Sequence, residues 1–508
     1  MLRINNRLLS LSSPRILAAV GVISRKEQKS HSTLTLQNLN PLVKEVEYAV
    51  RGPIVIRAGE IEKQLKGTHK FPFDRVIRAN IGDCHASGNQ VPLTYIRQFV
   101  AGCTYPELLK SPDFPSDIKE KVERLLSVCG GKSLGSYTES QGIITIRQDI
   151  ANYIQQRDGY PSDSNNIYLC NGASDGIKTV IKLLMNNNQK KPSGIMIPVP
   201  QYPLYSATLS EYGAHPIEYY LDEDNNWALN IDELERSINQ SKERCEPRGI
   251  VIINPGNPTG QVLSRENIEN VLRFAHKHQL FVMADEVYQE NVYLPGSKFF
   301  SFKKVLMDLG APFNQMELAS FHSASKGWHG ECGSRGGYYE LINIDKDVKV
   351  QVNKLISACL CSTAWGQAVM GAIVNPPKEG EPSYELYKQE RSAVFNRLKE
   401  KADLVSRLFN SVEGVQCNTV MGAMYAFPRI EIPKKAIEHA KSKNMAPDAF
   451  YCFQLLEKTG ICVVPGSGFK QRPGTYHLRT TILPPIDQMK DMVEKFRTFH
   501  MSFLREWK

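Results

Sequence analysis

The sequence predicts an α/β protein with a large domain on a mostly parallel central sheet and a smaller α+β domain. Between residues 95 and 375, apolar runs of strand length alternate with longer amphipathic stretches, which is the pattern of βαβ units. Those runs are almost continuously apolar, as strands covered on both faces are. A turn-rich break, Asn375-Pro376-Pro377-Lys378-Glu379-Gly380, then leads into a long helical stretch and shorter strands.

Taken in order, residues 1–35 read as a leader. Within residues 1–30, six basic residues (Arg3, Arg7, Arg15, Arg25, Lys26, Lys29) face Glu27 alone. The resulting +5, mixed with Ser and Leu at spacings that allow a basic amphipathic helix, resembles a mitochondrial transit peptide and points to the matrix, with the cytoplasm as the alternative. The apolar stretch Ile16 to Ile23 is far short of the roughly 18 residues a bilayer span needs, so no membrane segment is expected. Of the formal charge of +9, only +4 is left for the other 478 residues, too little and too scattered to suggest a nucleic-acid partner. With 42% hydrophobic residues and no repeat, the composition is globular. Eleven dispersed cysteines, an odd number, suggest reduced thiols, and no Cys/His cluster completes a metal site.

Residues 36–94 read as an N-terminal arm and part of the small domain, with an extended stretch from Asn38 and a helix from Ile54 to Lys66. Strands are expected in the large domain (95–375) at Ile167–Cys170, Gly194–Ile197, Gly249–Ile253, Leu280–Ala284, Leu318–His322 and Gly336–Glu340. The C-terminal small domain (376–508) opens with a helix from Tyr384 to Asn410 and continues with strands such as Tyr425–Ile430 and Cys462–Val464.

In an open parallel sheet, ligands sit beyond the carboxyl ends of the strands. Here Asn171-Gly172-Ala173-Ser174 follows the first strand and opens a helix, an arrangement suited to a phosphate. Pro200-Gln201-Tyr202, Asn254-Pro255-Gly256-Asn257, Asp285-Glu286-Val287-Tyr288 and Ser323-Ala324-Ser325-Lys326 follow later strands. A phosphate cradle, an aromatic ring, an amide, a carboxylate, a phenol and a lysine therefore converge on one edge. That set matches what pyridoxal 5'-phosphate requires.

On these residues, and on the segments GSYTESQGI (135–143), NGASDGI (171–177), NPGNPTGQVL (254–263), HSASKGWHGECGSRGGYYE (322–340), GAMYAFPRI (422–430) and YHLRTTILPP (476–485), the chain resembles the fold-type I, class I/II aminotransferases, and among them the alanine-specific branch. The resemblance implies reversible transfer of an amino group from L-alanine to 2-oxoglutarate, giving pyruvate and L-glutamate, in a ping-pong cycle through pyridoxamine phosphate. Another aminotransferase or a carbon–sulfur lyase on the same scaffold is the alternative.

The resemblance also implies roles. Lys326 would carry the cofactor covalently and, once released, move a proton between Cα and C4′. Asp285 would pair with the ring nitrogen, Asn257 and Tyr288 would bond the ring hydroxyl, and Tyr202 would stack on the ring. Ala173, Ser174, Ser323, Ser325 and Arg335 would hold the phosphate, and Tyr137 would reach the phosphate of a neighbouring subunit in a homodimer with a shared active site. Arg479 would take the substrate α-carboxylate, with Gly82 and Asn257 beside it. The pattern singles out no residue for the γ-carboxylate of 2-oxoglutarate. One departure from the resemblance is Ser362-Thr363 before Ala364-Trp365-Gly366-Gln367, where a Pro-Pro pair is expected.

Overall fold

A computed structural model describes residues 34–67, 70–87, 92–186 and 190–508, so residues 1–33 of the expected leader lie outside the described residues. The chain divides after Glu45 into two compact units. In the first, the stretch expected to be extended contains a short helix, Pro41–Lys44, because the Asn40 side chain accepts from the Leu42 N–H and Pro41 is preset for a first helical turn.

The second unit begins with a 3-10 turn, Ala49–Arg51, then a helix, Pro53–Leu65, one residue earlier at each end than expected, and a short strand β1 (Ile77–Arg78). Seven strands follow: β2 (Ile167–Cys170), β3 (Ser193–Val199), β4 (His215–Tyr220), β5 (Glu246–Ile253), β6 (Phe281–Asp285), β7 (Leu318–Ser323) and β8 (Gly337–Ile342). They form one sheet in the order β2-β8-β7-β6-β5-β3-β4. All run parallel except β8, which is antiparallel to both β2 and β7. β2, β3, β7 and β8 are buried along their whole length, which explains their unbroken apolar runs. Strand β4 went unexpected because it is an edge strand with only two buried residues and a proline, so its pattern carries little signal.

Because six strands point the same way, their carboxyl ends lie along one edge. β8 starts at that edge: Gly337 stands in register with Cys170 on one side and Ser323 on the other, bringing the preceding Arg335 beside both strand ends.

The C-terminal part opens on the Tyr384–Asn410 helix and contains β9 (Val415–Gln416), β10 (Tyr425–Ala426), β11 (Arg429–Ile430), β12 (Ile461–Cys462), β13 (Val464–Pro465) and β14 (Leu478–Thr481). These build three small sheets, and β12 takes β1 as a parallel partner. The pairing of Ile77 with Ile461 ties the Asn80–Gly82 segment to the C-terminal elements. β14 lies between β10 and β13, which places Arg479 and Tyr425 on neighbouring strands. No helix among the described residues is long and apolar enough to cross a membrane.

Candidate active site

A cleft of about 510 Å³ opens at the carboxyl edge of the large sheet. Its walls include Gly82, Ala173, Ser174, Tyr202, Asn257, Asp285, Tyr288, Ser323, Ser325, Lys326, Arg335 and Arg479, which brings all the expected site residues but Tyr137 into one cavity. Tyr137 is 77% exposed and outside this cleft.

The phosphate-type end is built by the first turn of the Ala173–Leu184 helix, where unpaired N–H groups and the helix dipole favour an anion. Gly172 makes the approach possible. Its φ is +77°, and a Cβ there would run into the Arg335 guanidinium. Arg335 donates to the Asn171 carbonyl at 3.1 Å, the Cys332 carbonyl at 3.1 Å and the Ser325 Oγ at 3.4 Å, so the cation is aimed across the helix start. The Ser323 hydroxyl accepts from the Ser325 N–H. The departure at Ser362-Thr363 leaves this rim ordered by other means: Thr363 N–H donates to the Asn171 side chain, and the Gln367 side chain donates to the Ser362 carbonyl.

Lys326 follows the end of β7, and its Nζ donates to the Gly82 carbonyl at 3.0 Å. Gly82 must be glycine at this place, since a Cβ would collide with the Tyr425 hydroxyl. Burial works to lower the Lys326 pKa, but neighbouring Tyr425, Cys84 and Cys332 outweigh it and the net direction is upward. Tyr425 shows the counterpart. Burial opposes its ionisation, yet the charges of Lys326 and Arg479 bring its phenol below the usual range.

Asp285, 3% exposed at the end of β6, accepts from the Tyr205 hydroxyl through Oδ2 at 2.8 Å, while Oδ1 has no partner. Burial pushes this carboxyl up to about 6, against the pull of Tyr205, the Val287 N–H and the Lys326 charge. A buried carboxylate oxygen without a donor is costly unless a ligand supplies one.

Arg479 is 1% exposed. Its guanidinium lies between the rings of Tyr425 (4.2 Å) and Phe469 (4.7 Å), and it donates to Asn257 Oδ1 at 3.1 Å and to the Asn80 carbonyl at 2.5 Å. A rigid, desolvated guanidinium fork suits a carboxylate.

Of the tyrosines at the site that were not assigned roles from sequence, two meet charged groups there. Tyr205 lies three residues beyond Tyr202, on the adjoining helix, and reaches under the cleft to Asp285. Tyr425, in the GAMYAFPRI segment, accepts from the Tyr288 hydroxyl at 3.1 Å and joins Lys326 to Arg479 electrostatically. The PxYPxY spacing hinted at the first. Nothing local marks the second.

The family model for aminotransferase class I and II matches residues 109–496. The chain is 57% identical over 476 residues to a Danio rerio protein named alanine aminotransferase 2-like, covering 93% of this chain and 86% of that one. It is 45% identical over 498 residues to a Dictyostelium discoideum protein named probable alanine aminotransferase, mitochondrial, covering 96% and 92%. Among solved structures, the alanine aminotransferase of Pyrococcus furiosus is similar at a TM-score of 0.71 and 24% identity, covering 91% of this chain and 98% of that one, a likeness of fold.

Proposed function

Because the chain belongs to the aminotransferase class I and II family, we propose that it catalyses the reversible transfer of an amino group from L-alanine to 2-oxoglutarate, giving pyruvate and L-glutamate. It is a transaminase that depends on pyridoxal 5'-phosphate, and the residues present fit that group. The observation that carries the chemistry is the unpartnered, buried Asp285 Oδ1 in the same cleft as Lys326, a helix N-terminus and Arg335. The choice of alanine rests on the relatives' names.

When bound, the cofactor supplies a carbonyl for the amino group and a ring that accepts electrons from the substrate Cα. Ala173 and Ser174 at the helix start, with Ser323, Ser325 and Arg335, would hold its phosphate. Asp285 Oδ1 would accept the ring N–H, with Oδ2 kept in place by Tyr205. Tyr202 would cover one ring face, while Tyr288 and Asn257 would serve the ring hydroxyl. Lys326 Nζ is the amine that attaches the cofactor and, when free and neutral, the base that takes a proton from the substrate Cα. Tyr425, with its acidified phenol, sits beside that amine and helps set its protonation. Arg479 holds the α-carboxylate by a bidentate pair, and the surrounding aromatic rings keep water away from it.

The exposure of Tyr137 fits a role across a subunit boundary in a homodimer with a shared site. The basic leader and the name of the Dictyostelium relative support a mitochondrial matrix address. The division into an arm (36–94), a cofactor-binding domain (95–375) and a small domain (376–508) is part of the same reading. Initial rates with 2-oxoglutarate over a panel of donors test the substrate choice. Alanine is expected to lead, and preference for aspartate, kynurenine or cystathionine would overturn it. The purified holoenzyme should also show an absorbance band that alanine bleaches and pyruvate restores.

A further inference from the structure

Four cations line the cleft: Lys326, Arg335, Arg479 and Arg51. The first three have work in the reading above. Arg51 has none, and among the described residues its side chain makes no hydrogen bond or ion pair. It ends a short 3-10 turn, Ala49–Arg51, whose base is fixed. Val50 is buried in the same apolar cluster as Phe469, the ring that stacks on Arg479. Ala49 lies so close to Gly468 that a Cβ on that glycine would collide with it, and the hydroxyls of Tyr48 and Tyr202 are 2.8 Å apart. The backbone is therefore held against the cleft wall while the Arg51 side chain remains exposed.

We propose that Arg51 binds the side-chain carboxylate of the five-carbon substrates, 2-oxoglutarate and L-glutamate, an assignment that rests on the alanine and 2-oxoglutarate reading. The two substrate pairs share an α-carboxylate and differ in the γ-carboxylate. A group present in every substrate is best met by a fixed, desolvated cation, and Arg479 is one. A group present in only one pair poses a different problem. A buried cation dedicated to it would be left uncompensated each time alanine or pyruvate bound, which is strongly unfavourable. An exposed arginine avoids this, since it stays hydrated over a short substrate and pairs bidentately with a long one. The other charged groups named in the cleft are already committed or, like Asp83 and Asp285, of the wrong sign.

Half-reactions of the holoenzyme, followed by absorbance, test the assignment: L-alanine and L-glutamate on the pyridoxal form, pyruvate and 2-oxoglutarate on the aminated form. For Arg51→Gln, kcat/KM is expected to fall ~100-fold for the two dicarboxylates and to stay within about threefold for alanine and pyruvate. Arg51→Lys should recover part of the loss, because it keeps the charge without the fork. An equal fall for both pairs, or no change for either, overturns the proposal. Wild-type rates judge the underlying reading separately. If alanine fails to react with the wild type, that reading fails, and the Arg51 contrast is then taken between glutamate and whichever neutral donor reacts.

Discussion

Asp285 and Glu286 are consecutive buried carboxylates at the end of β6, one facing the cleft and the other the closed side of the sheet. Asp285 has one oxygen held by Tyr205 and one with no partner. Both Glu286 oxygens are occupied, Oε1 by the Phe302 N–H at 2.7 Å and Oε2 by the Ser320 hydroxyl at 2.5 Å. Around Glu286 the other charges are also paired: Arg157 forks onto Asp158, and Lys303 donates to Glu340 at 2.6 Å. Burial alone therefore does not distinguish a working carboxylate from a structural one. Nor does an open valence alone, since Glu340 Oε2 and Asp448 Oδ1 also lack a partner; what sets Asp285 apart is that its open oxygen belongs to a residue lining the cleft, where a ligand can be recognised.

The largest losses are expected from substitutions on the cleft side. Lys326→Ala removes the amine proposed to move the proton, and kcat is expected to drop by ~10^4 or more. Its urea unfolding midpoint should stay near the wild-type value, since the Lys326 amine reaches the cleft, where it meets the Gly82 carbonyl and the Tyr425 phenol rather than the packed core. Residual alanine turnover within tenfold of wild type would place the proton transfer elsewhere. Next in size is Asp285→Asn, which keeps the shape and removes the negative charge proposed to face the ring nitrogen. We expect ~10^3 lower kcat/KM for alanine. The paired variant Glu286→Gln should stay within about threefold in the same assay. Comparable losses in both would mean that the two carboxylates do not differ in function as their hydrogen bonds do.

Glu286 sharpens the contrast through stability. Burial raises its carboxyl to about 7, despite the opposing charge of Arg157 and hydrogen bonds from Ser320 and Phe302. The folded protein thus holds a proton that the unfolded chain, with a glutamate near the ordinary value of 4.5, has already released. Stability from this group is present below about pH 4.5 and is lost as pH rises through about 7, by up to about 3 kcal/mol. Glutamine does not titrate. Hence the unfolding free energy of wild type minus that of Glu286→Gln, from urea titrations at pH 5 to 8, should fall with rising pH, and parallel curves would contradict the raised carboxyl.

How far these features were legible depended on where the information lies in the chain. β2 was expected at Ile167–Cys170 and found there, because a fully buried strand writes its limits as an unbroken apolar run. The Tyr384–Asn410 helix was likewise readable from its own pattern. Lys326, Asp285 and Asn257 could be brought together from sequence because a parallel sheet sends every strand end to one edge. Tyr425 and Arg51 could not, since their places depend on the pairing of β10 with β14 and on the packing of Val50 near Phe469. Those contacts join segments far apart in the chain and leave no periodic trace. β4 was missed for the opposite reason: it is local, but its edge position removes the burial that would have marked it.

The smallest expected effect concerns Tyr205, and it tests whether the occupied oxygen of Asp285 matters as well as the open one. Tyr205→Phe deletes a buried donor at 2.8 Å without changing the ring, leaving both oxygens of Asp285 without a side-chain donor. Losing one such bond costs about 1 to 3 kcal/mol when the acceptor stays buried. Because this bond favours the ionised form, its removal moves the Asp285 pKa further up from about 6. The acid limb of the kcat/KM profile for alanine should therefore shift to higher pH, with roughly a tenfold loss near pH 7 and recovery toward pH 9. A uniform loss at every pH would instead assign Tyr205 to packing alone, since a purely steric defect has no reason to follow the protonation of Asp285.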